Sequence, residues 1–257
     1  MNKIVKLIFL LTLMVRISFA QEGKIETDRP DQTETPFLTP KNWIQLEAGF
    51  NIQQNIKNRF EYLSPTLLSK IGISKKIELR LITSVVTNKV KGSFSSFTQT
   101  GLAPVELGAK VFICEEKKIM PKTSLIFHFA LPKFASKSFQ SNKVAPNFRF
   151  VMQNTLSKTV GLGYNIGAEW DGFTNTPTWI YTFAPGFTLS KKWYGYIEAF
   201  GFINKNESPQ HSIDGGLGYF LNDNIKLDVS SGFGISKAAP NWYFSLGGSI
   251  RFKTKSK

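Results

Sequence analysis

Thr159–Trp170 reads TVGLGYNIGAEW. Val160, Leu162, Tyr164, Ile166, Ala168 and Trp170 fall on one side of an extended chain. Gly161, Gly163, Asn165, Gly167 and Glu169 fall on the other. Successive side chains of a strand point to opposite faces, so this stretch is a strand with one apolar face and one polar or bare face. It is long for a soluble strand, which averages about five to six residues. It fits a tilted membrane-crossing strand of about 9–11 residues with short extensions.

The same period of two recurs along the chain. In Lys76–Val86, Ile77, Leu79, Leu81, Thr83 and Val85 oppose Glu78, Arg80, Ile82 and Ser84. In Asn224–Ile235, Ile225, Leu227, Val229 and Phe233 oppose Lys226, Asp228, Ser230 and Gly232. About twelve such runs are expected, near 42–54, 58–71, 76–88, 100–113, 119–131, 145–156, 159–170, 178–190, 193–204, 211–221, 224–235 and 240–252. Their connections alternate in length. Ile73–Lys75, Ser157-Lys158, Lys191-Lys192 and Asn222-Asp223 are tight. Lys89–Gln99, Pro132–Val144, Asp171–Pro177, Asn204–Gln210 and Ser236–Ala239 are longer. An even strand number with short turns at one end and longer loops at the other predicts an all-β, closed antiparallel transmembrane barrel of about twelve strands, with short periplasmic turns and longer outer loops.

Composition agrees. Aromatic residues make up 14% of the 257 residues, charged residues only 19%, and glycine numbers 20. Beyond the leader no segment has the roughly 20 apolar residues of a membrane helix. The net charge of +14 and pI of 9.8 would suit nucleic acid, but an exported chain does not meet it, so no nucleic-acid partner is expected. Many lysines fall at turns and ends, where anionic lipid is the natural neighbour. Cys114 is the single cysteine and cannot form an internal disulfide.

Lys3 and Lys6, the apolar run Leu7–Val15 and the small residues Ser18 and Ala20 form a secretory signal peptide over residues 1–20. Residues 21–40 are then a polar, proline-rich strip ahead of the barrel, 41–252, and 253–257 form a basic tail. The last strand, SLGGSIRF, places Gly247, Ile250 and Phe252 in a pattern like the signal read by the barrel-assembly machinery, although five residues follow it.

In a barrel the apolar face meets lipid and the polar face lines the inside. Alternation therefore sends Glu47, Lys70, Glu78, Arg80, Glu106, Lys110, His128, Arg149, Glu169, Glu198, Asp214, Lys226, Asp228 and Arg251 inward as candidate lumen and selectivity residues. Seven acids face seven bases, His128 counted, which predicts cross-strand ion pairing. Trp43, Trp170, Trp179, Trp193, Tyr194 and Trp242 lie near strand ends and are expected in the interfacial girdles.

The strip carries the most specific pattern. TDRPDQTETPFLTPKNWIQLE (Thr27–Glu47) resembles the opening of the outer-membrane family known as the putative MetA-pathway of phenol degradation, through Thr27, Asp28, Arg29, Pro30, Gln32, Thr33, Glu34, Pro40, Gln45 and Glu47. Lys70, Gly72, Glu78 and Arg80 resemble its second hairpin, and Leu107–Ile113 its Gly-x-Lys strand. The resemblance implies a transporter-like barrel for small compounds, aromatic or hydrophobic ones included. Asp28 and Arg29 are expected to fold back onto lumen charges, so that the strip narrows or plugs the periplasmic mouth.

No cofactor or metal is implied, and no enzyme. His128 points inward between Phe127 and Phe129, and His211 and Ser212 point to opposite faces. No Gly-x-Ser-x-Gly elbow or phosphate loop appears. The expected function is passive passage of an unspecified small solute across the outer membrane, with membrane lipid and the assembly machinery as partners. A closed structural or surface-interaction barrel is the alternative, and a lipid-modifying barrel enzyme a distant third.

Overall fold

A computed structural model describes residues 23–56, 59–92 and 95–254. The expected signal peptide, residues 1–20, and the end of the expected basic tail lie outside the described residues. The strands are β1 (Trp43–Ile56), β2 (Arg59–Gly72), β3 (Ile77–Lys91), β4 (Ser96–Leu102), β5 (Val105–Cys114), β6 (Lys122–Leu131), β7 (Ala145–Thr155), β8 (Val160–Glu169), β9 (Thr178–Thr188), β10 (Trp193–Asn204), β11 (Gln210–Asn222), β12 (Ile225–Gly234) and β13 (Trp242–Lys253).

Every pairing is antiparallel. The sheet closes where β1 meets β13, in register from Trp43 opposite Lys253 to Gln54 opposite Trp242. β4 and β5 lie end to end along β3, pairing with Val85–Lys91 and Ile77–Ile82 respectively. Between them sits Pro104, which has no N–H to give to a ladder. The two pieces form one stave, so the wall is a closed barrel of twelve. Apart from β4, which pairs with β3 alone among the described residues, closure leaves no open edge, the condition for a sheet in hydrocarbon.

The radial distribution is the reverse of a soluble protein. Phe50, Leu107, Ile166, Phe183, Ile197, Leu227, Phe233 and Leu246 face outward and are exposed. Glu78 and Lys110 are fully buried inside. An exterior this apolar is at ease only in contact with lipid.

Three expectations are corrected. Trp43 is 1% exposed and faces the lumen, with the Arg251 guanidinium 5.1 Å from its ring. Tyr194 also faces inward, under the Lys226 ammonium. Both share strand parity with the polar face, which decides orientation ahead of closeness to a strand end. The supposed loop Lys89–Gln99 is mostly ladder: β3 runs to Lys91, β4 starts at Ser96, and Gly92 N–H donates to Ser95 O at 2.9 Å. Thr87, Val90 and Phe97 carry the hairpin past the band that lipid alone would require.

Connections at the end holding both barrel termini are short, apart from Glu115–Pro121, which forms a small bridge between Lys117 and Met120. At the opposite end Pro132–Val144 carries two 3₁₀ turns, Pro132–Phe134 and Lys137–Phe139. Ser136 exchanges hydrogen bonds with Leu102, at 2.9 Å and 3.0 Å, and a Cβ on Gly101 would meet the Phe139 ring at 2.8 Å. Gly101 is paired with inward-facing Val86, so this loop packs on the lumen side of the wall.

Candidate functional site

The strip threads the lumen. Ile25 N–H donates to Asp223 O at 2.8 Å at the tight-turn end. The chain then crosses the interior and returns to that end at Trp43, whose N–H donates to Pro40 O at 3.0 Å. A segment without apolar periodicity cannot form its own ladder, so its backbone groups must find partners on the wall. Asp28 and Arg29 N–H groups donate to Glu47 Oε2 at 3.0 and 3.1 Å. Gln32 N–H donates to Glu198 Oε2 at 2.8 Å, Glu34 N–H to Asn165 Oδ1 at 2.7 Å, and Thr39 N–H to Glu78 Oε2 at 2.6 Å. Ser124 Oγ donates to Pro36 O at 2.7 Å. Pro30 and Pro36 are buried and bring no donor that would need a partner.

Its main anchor is Asp28. Oδ2 accepts from Lys70 Nζ and Arg80 Nη1, both at 2.8 Å, and Oδ1 from Lys110 Nζ at 2.9 Å. Glu78 and Glu34 hold Arg80 further, at 3.1 and 2.6 Å, and Glu47 pairs with Lys70. Burial by itself would raise the Asp28 pKa, but Lys110, Lys70 and Arg80 outweigh it and hold the carboxyl well below the usual range. The neighbouring Arg29 turns the other way past β1, where Nη2 donates to Asp228 Oδ1 of β12 at 2.9 Å and Ser245 Oγ of β13 at 3.0 Å. Gly49 and Gly247 make room for it: a Cβ on either would strike the guanidinium.

Across the lumen the character changes. Ile126, Val151, Ile180 and Phe200 face inward and are buried, beside uncharged Thr182 and Asn165. Asp31 of the strip has its pKa pushed well above the ordinary value, first by burial and next by the Glu198 carboxylate. Between the strip and the β8–β10 wall lies a cavity of about 310 Å³. Asp31, Thr33 and Glu34 line one side, and Gly161, Gly163 and Gly186, with no side chains to fill the space, the other.

Ten of the candidate lumen residues reach the strip, and four meet partners on the wall. Glu47, Lys70, Glu78, Arg80, Lys110, Glu198, Lys226 and Asp228 contact the strip directly, Lys226 through Thr27 Oγ1 at 2.8 Å. Arg251 reaches Gly23 O and Asn224 Oδ1, and Arg149 reaches Gln32 O at 3.4 Å. Glu106, His128 and Glu169 lie beyond the strip. Asn147 donates to Glu106 at 3.1 Å, His128 Nε2 accepts from Arg80 Nε at 3.1 Å, and Glu169 is 3.8 Å from Arg149. Asp214 meets the Tyr243 hydroxyl. In the closing strand Gly247 faces Arg29, whereas Ile250 points outward. Sequence reasoning named Thr33 only within the family pattern, and did not single out Asn165, Thr182, Ser124 and Tyr243 as lumen candidates. Strand parity already placed the last four inside, but they carry no charge to draw attention.

His211 sits on the outer face with Nδ1 2.8 Å from the Tyr181 hydroxyl, and Ser212 is buried inside, so the two do not meet. Cys114 is a free thiol near Pro121 O.

The barrel resembles solved outer-membrane channels. The COG4313 outer membrane channel from Pseudomonas putida F1 superposes with a TM-score of 0.67 at 10% identity, over 87% of this chain and 99% of that one. The KdgM porin gives 0.54 at 13% identity, and the NanC porin 0.52 at 10%, each over 80% of this chain and 98% of theirs. At such identities the likeness concerns the fold. Among curated proteins no match was found. Residues 27–252, which span the threaded strip and nearly the whole barrel, match one family, and the chain belongs to it: the family described as "Putative MetA-pathway of phenol degradation".

Proposed function

We propose that this protein is a passive channel of the outer membrane for small solutes, aromatic or hydrophobic ones included. The strip and the lumen charges set what passes. The reading rests on one observation: a polar segment is pinned inside the barrel by Asp28, Arg29 and Glu34, yet a cavity of about 310 Å³ remains beside it. A segment there only to fill the barrel would leave no such gap against bare glycines. Ala184, Trp193 and Phe220, which line this cavity, give an uncharged solute a surface the ion pairs do not. The channel fold of the barrel and its family membership support the same reading.

Liposome swelling tests it. Vesicles holding the full mature chain should admit small aromatic alcohols faster than sugars of similar mass. Equal rates for both, no faster than in protein-free vesicles, would favour the closed structural barrel instead.

A further inference from the structure

Glu198 and Asp214 stand directly opposite each other on β10 and β11, both facing the lumen. They are 1% and 4% exposed. Like charges in that position repel, and burial removes the water that would screen them. By contrast, buried Asp28 has three bases and Asp228 has Arg29, whereas Asp31 of the strip adds a further acid beside Glu198. Among the described residues no Lys, Arg or His comes within ion-pair distance of Glu198 or Asp214. Lys226 of β12 is engaged by Thr27 Oγ1 and Arg29 O, at 2.8 and 3.1 Å.

A second observation is independent of the charges. Asp214 Oδ1, Tyr196 OH and Ser230 Oγ are buried oxygens that face one another, Tyr196 between the other two, without closing to hydrogen-bond geometry. Tyr196 is 3% exposed and Ser230 2%. The three belong to one place. A Cβ on Gly216 would lie 2.6 Å from the Tyr196 ring and 3.0 Å from Ser230 Cβ, and Tyr196 interacts electrostatically with Asp214. Buried oxygens are normally satisfied, so three orphans beside an uncompensated acid pair call for a ligand that accepts lone pairs and brings positive charge.

We infer that the Glu198–Asp214 pair, with the Tyr196 and Ser230 hydroxyls, forms a binding site for a small monovalent cation, an alkali ion or ammonium. An all-oxygen set of two carboxylates and two hydroxyls suits a hard cation and not a soft transition metal. Among the described residues no third His, Cys, Asp or Glu side chain joins the pair in metal-holding geometry, so the site lacks the charge count of a calcium-type cage. The site also bears on the strip. Glu198 accepts from Gln32 N–H at 2.8 Å and from the Thr33 hydroxyl at 2.6 Å, so a cation that steadies Glu198 steadies the strip. None of this depends on whether the barrel conducts.

Thermal melting of the detergent-solubilised protein tests the inference, in sodium or potassium chloride against N-methyl-D-glucamine chloride at equal ionic strength and fixed pH. The glucamine ion is too large for the cluster. The wild type should melt higher in the alkali salts, by about 4 °C near saturation. Asp214→Asn should lose that difference and melt higher than the wild type in the glucamine salt, because the repulsion is gone. If Asp214→Asn does not fold, Tyr196→Phe and Ser230→Ala serve in its place: they keep both charges and should require a severalfold higher sodium concentration for the same shift. Two results would overturn the site. One is a wild type indifferent to cation identity whose melting follows pH alone, the mark of a shared proton. The other is a cation shift that persists when these oxygens are removed.

Discussion

Asp28 of the strip and Arg80 of β3 meet at 2.8 Å inside the barrel, where both side chains are almost wholly buried. Lys70 and Lys110 converge on the same carboxylate, so one acid organises three cations from three staves. Removing one member of a buried ion pair leaves the others uncompensated, which costs far more than the pair itself gains. Asp28→Asn should therefore destabilise the barrel by about 3 kcal/mol, read as an earlier heat-modifiable gel transition in detergent. A cost within measurement error would mean that Glu34, Glu47 and Glu78 suffice for the three cations.

The same group sets an acid limit. Its neighbouring cations hold the Asp28 carboxyl well below its ordinary value of 3.8. A depressed carboxyl contributes stability that is fully present above the unfolded value and is lost as pH falls through the folded one. The difference in melting temperature between wild type and Asp28→Asn should thus hold steady from neutrality to about pH 4 and shrink only below it. Shrinkage already between pH 7 and 5 would show that Asp28 does not carry this charge.

Gly49 offers a test of Arg29. All three nearest atoms to a Cβ there belong to the Arg29 guanidinium, the far end of a flexible side chain. Gly49→Ala should push the guanidinium off Asp228 and cost about 1–2 kcal/mol. In an Arg29→Ala background the same substitution should be neutral or slightly stabilising, since a strand interior prefers alanine to glycine. Additive costs in this double-mutant cycle would separate Gly49 from Arg29.

Gly161 borders the cavity, and a Cβ there would meet nothing nearer than Gln153 Nε2 at 3.4 Å. Gly161→Leu should fill the space beside the strip and lower solute flux severalfold while the barrel still folds. Unchanged flux in a folded Gly161→Leu barrel would place the path elsewhere.

Much of this structure is legible in the sequence because a strand in lipid has only two faces. Parity alone sends Glu78, Arg80, Lys110 and Glu198 inward and Leu79, Leu107 and Ile197 outward. The same rule places Trp43 with Gln45 and Glu47, and Tyr194 with Tyr196 and Glu198; the girdle assignment overrode it and failed. The course of the strip is not readable in this way. Asp28 finds its partners on β2, β3 and β5 through side-chain length and charge, with no period to mark them. The notches at Gly49 and Gly247 depend on β1–β13 register and on where Arg29 lies, which local sequence does not encode. Likewise, the opposition of Glu198 and Asp214 appears only once β10 and β11 are in register.

The central claim is that the threaded strip limits an open path. Single-channel conductance in planar bilayers tests it most directly, comparing the full mature chain with one lacking residues 21–40, each first shown to fold by heat-modifiable migration. The expected result is small steps from the full chain and larger ones from the truncated chain. Silence from both folded proteins, or equal steps from both, would contradict it.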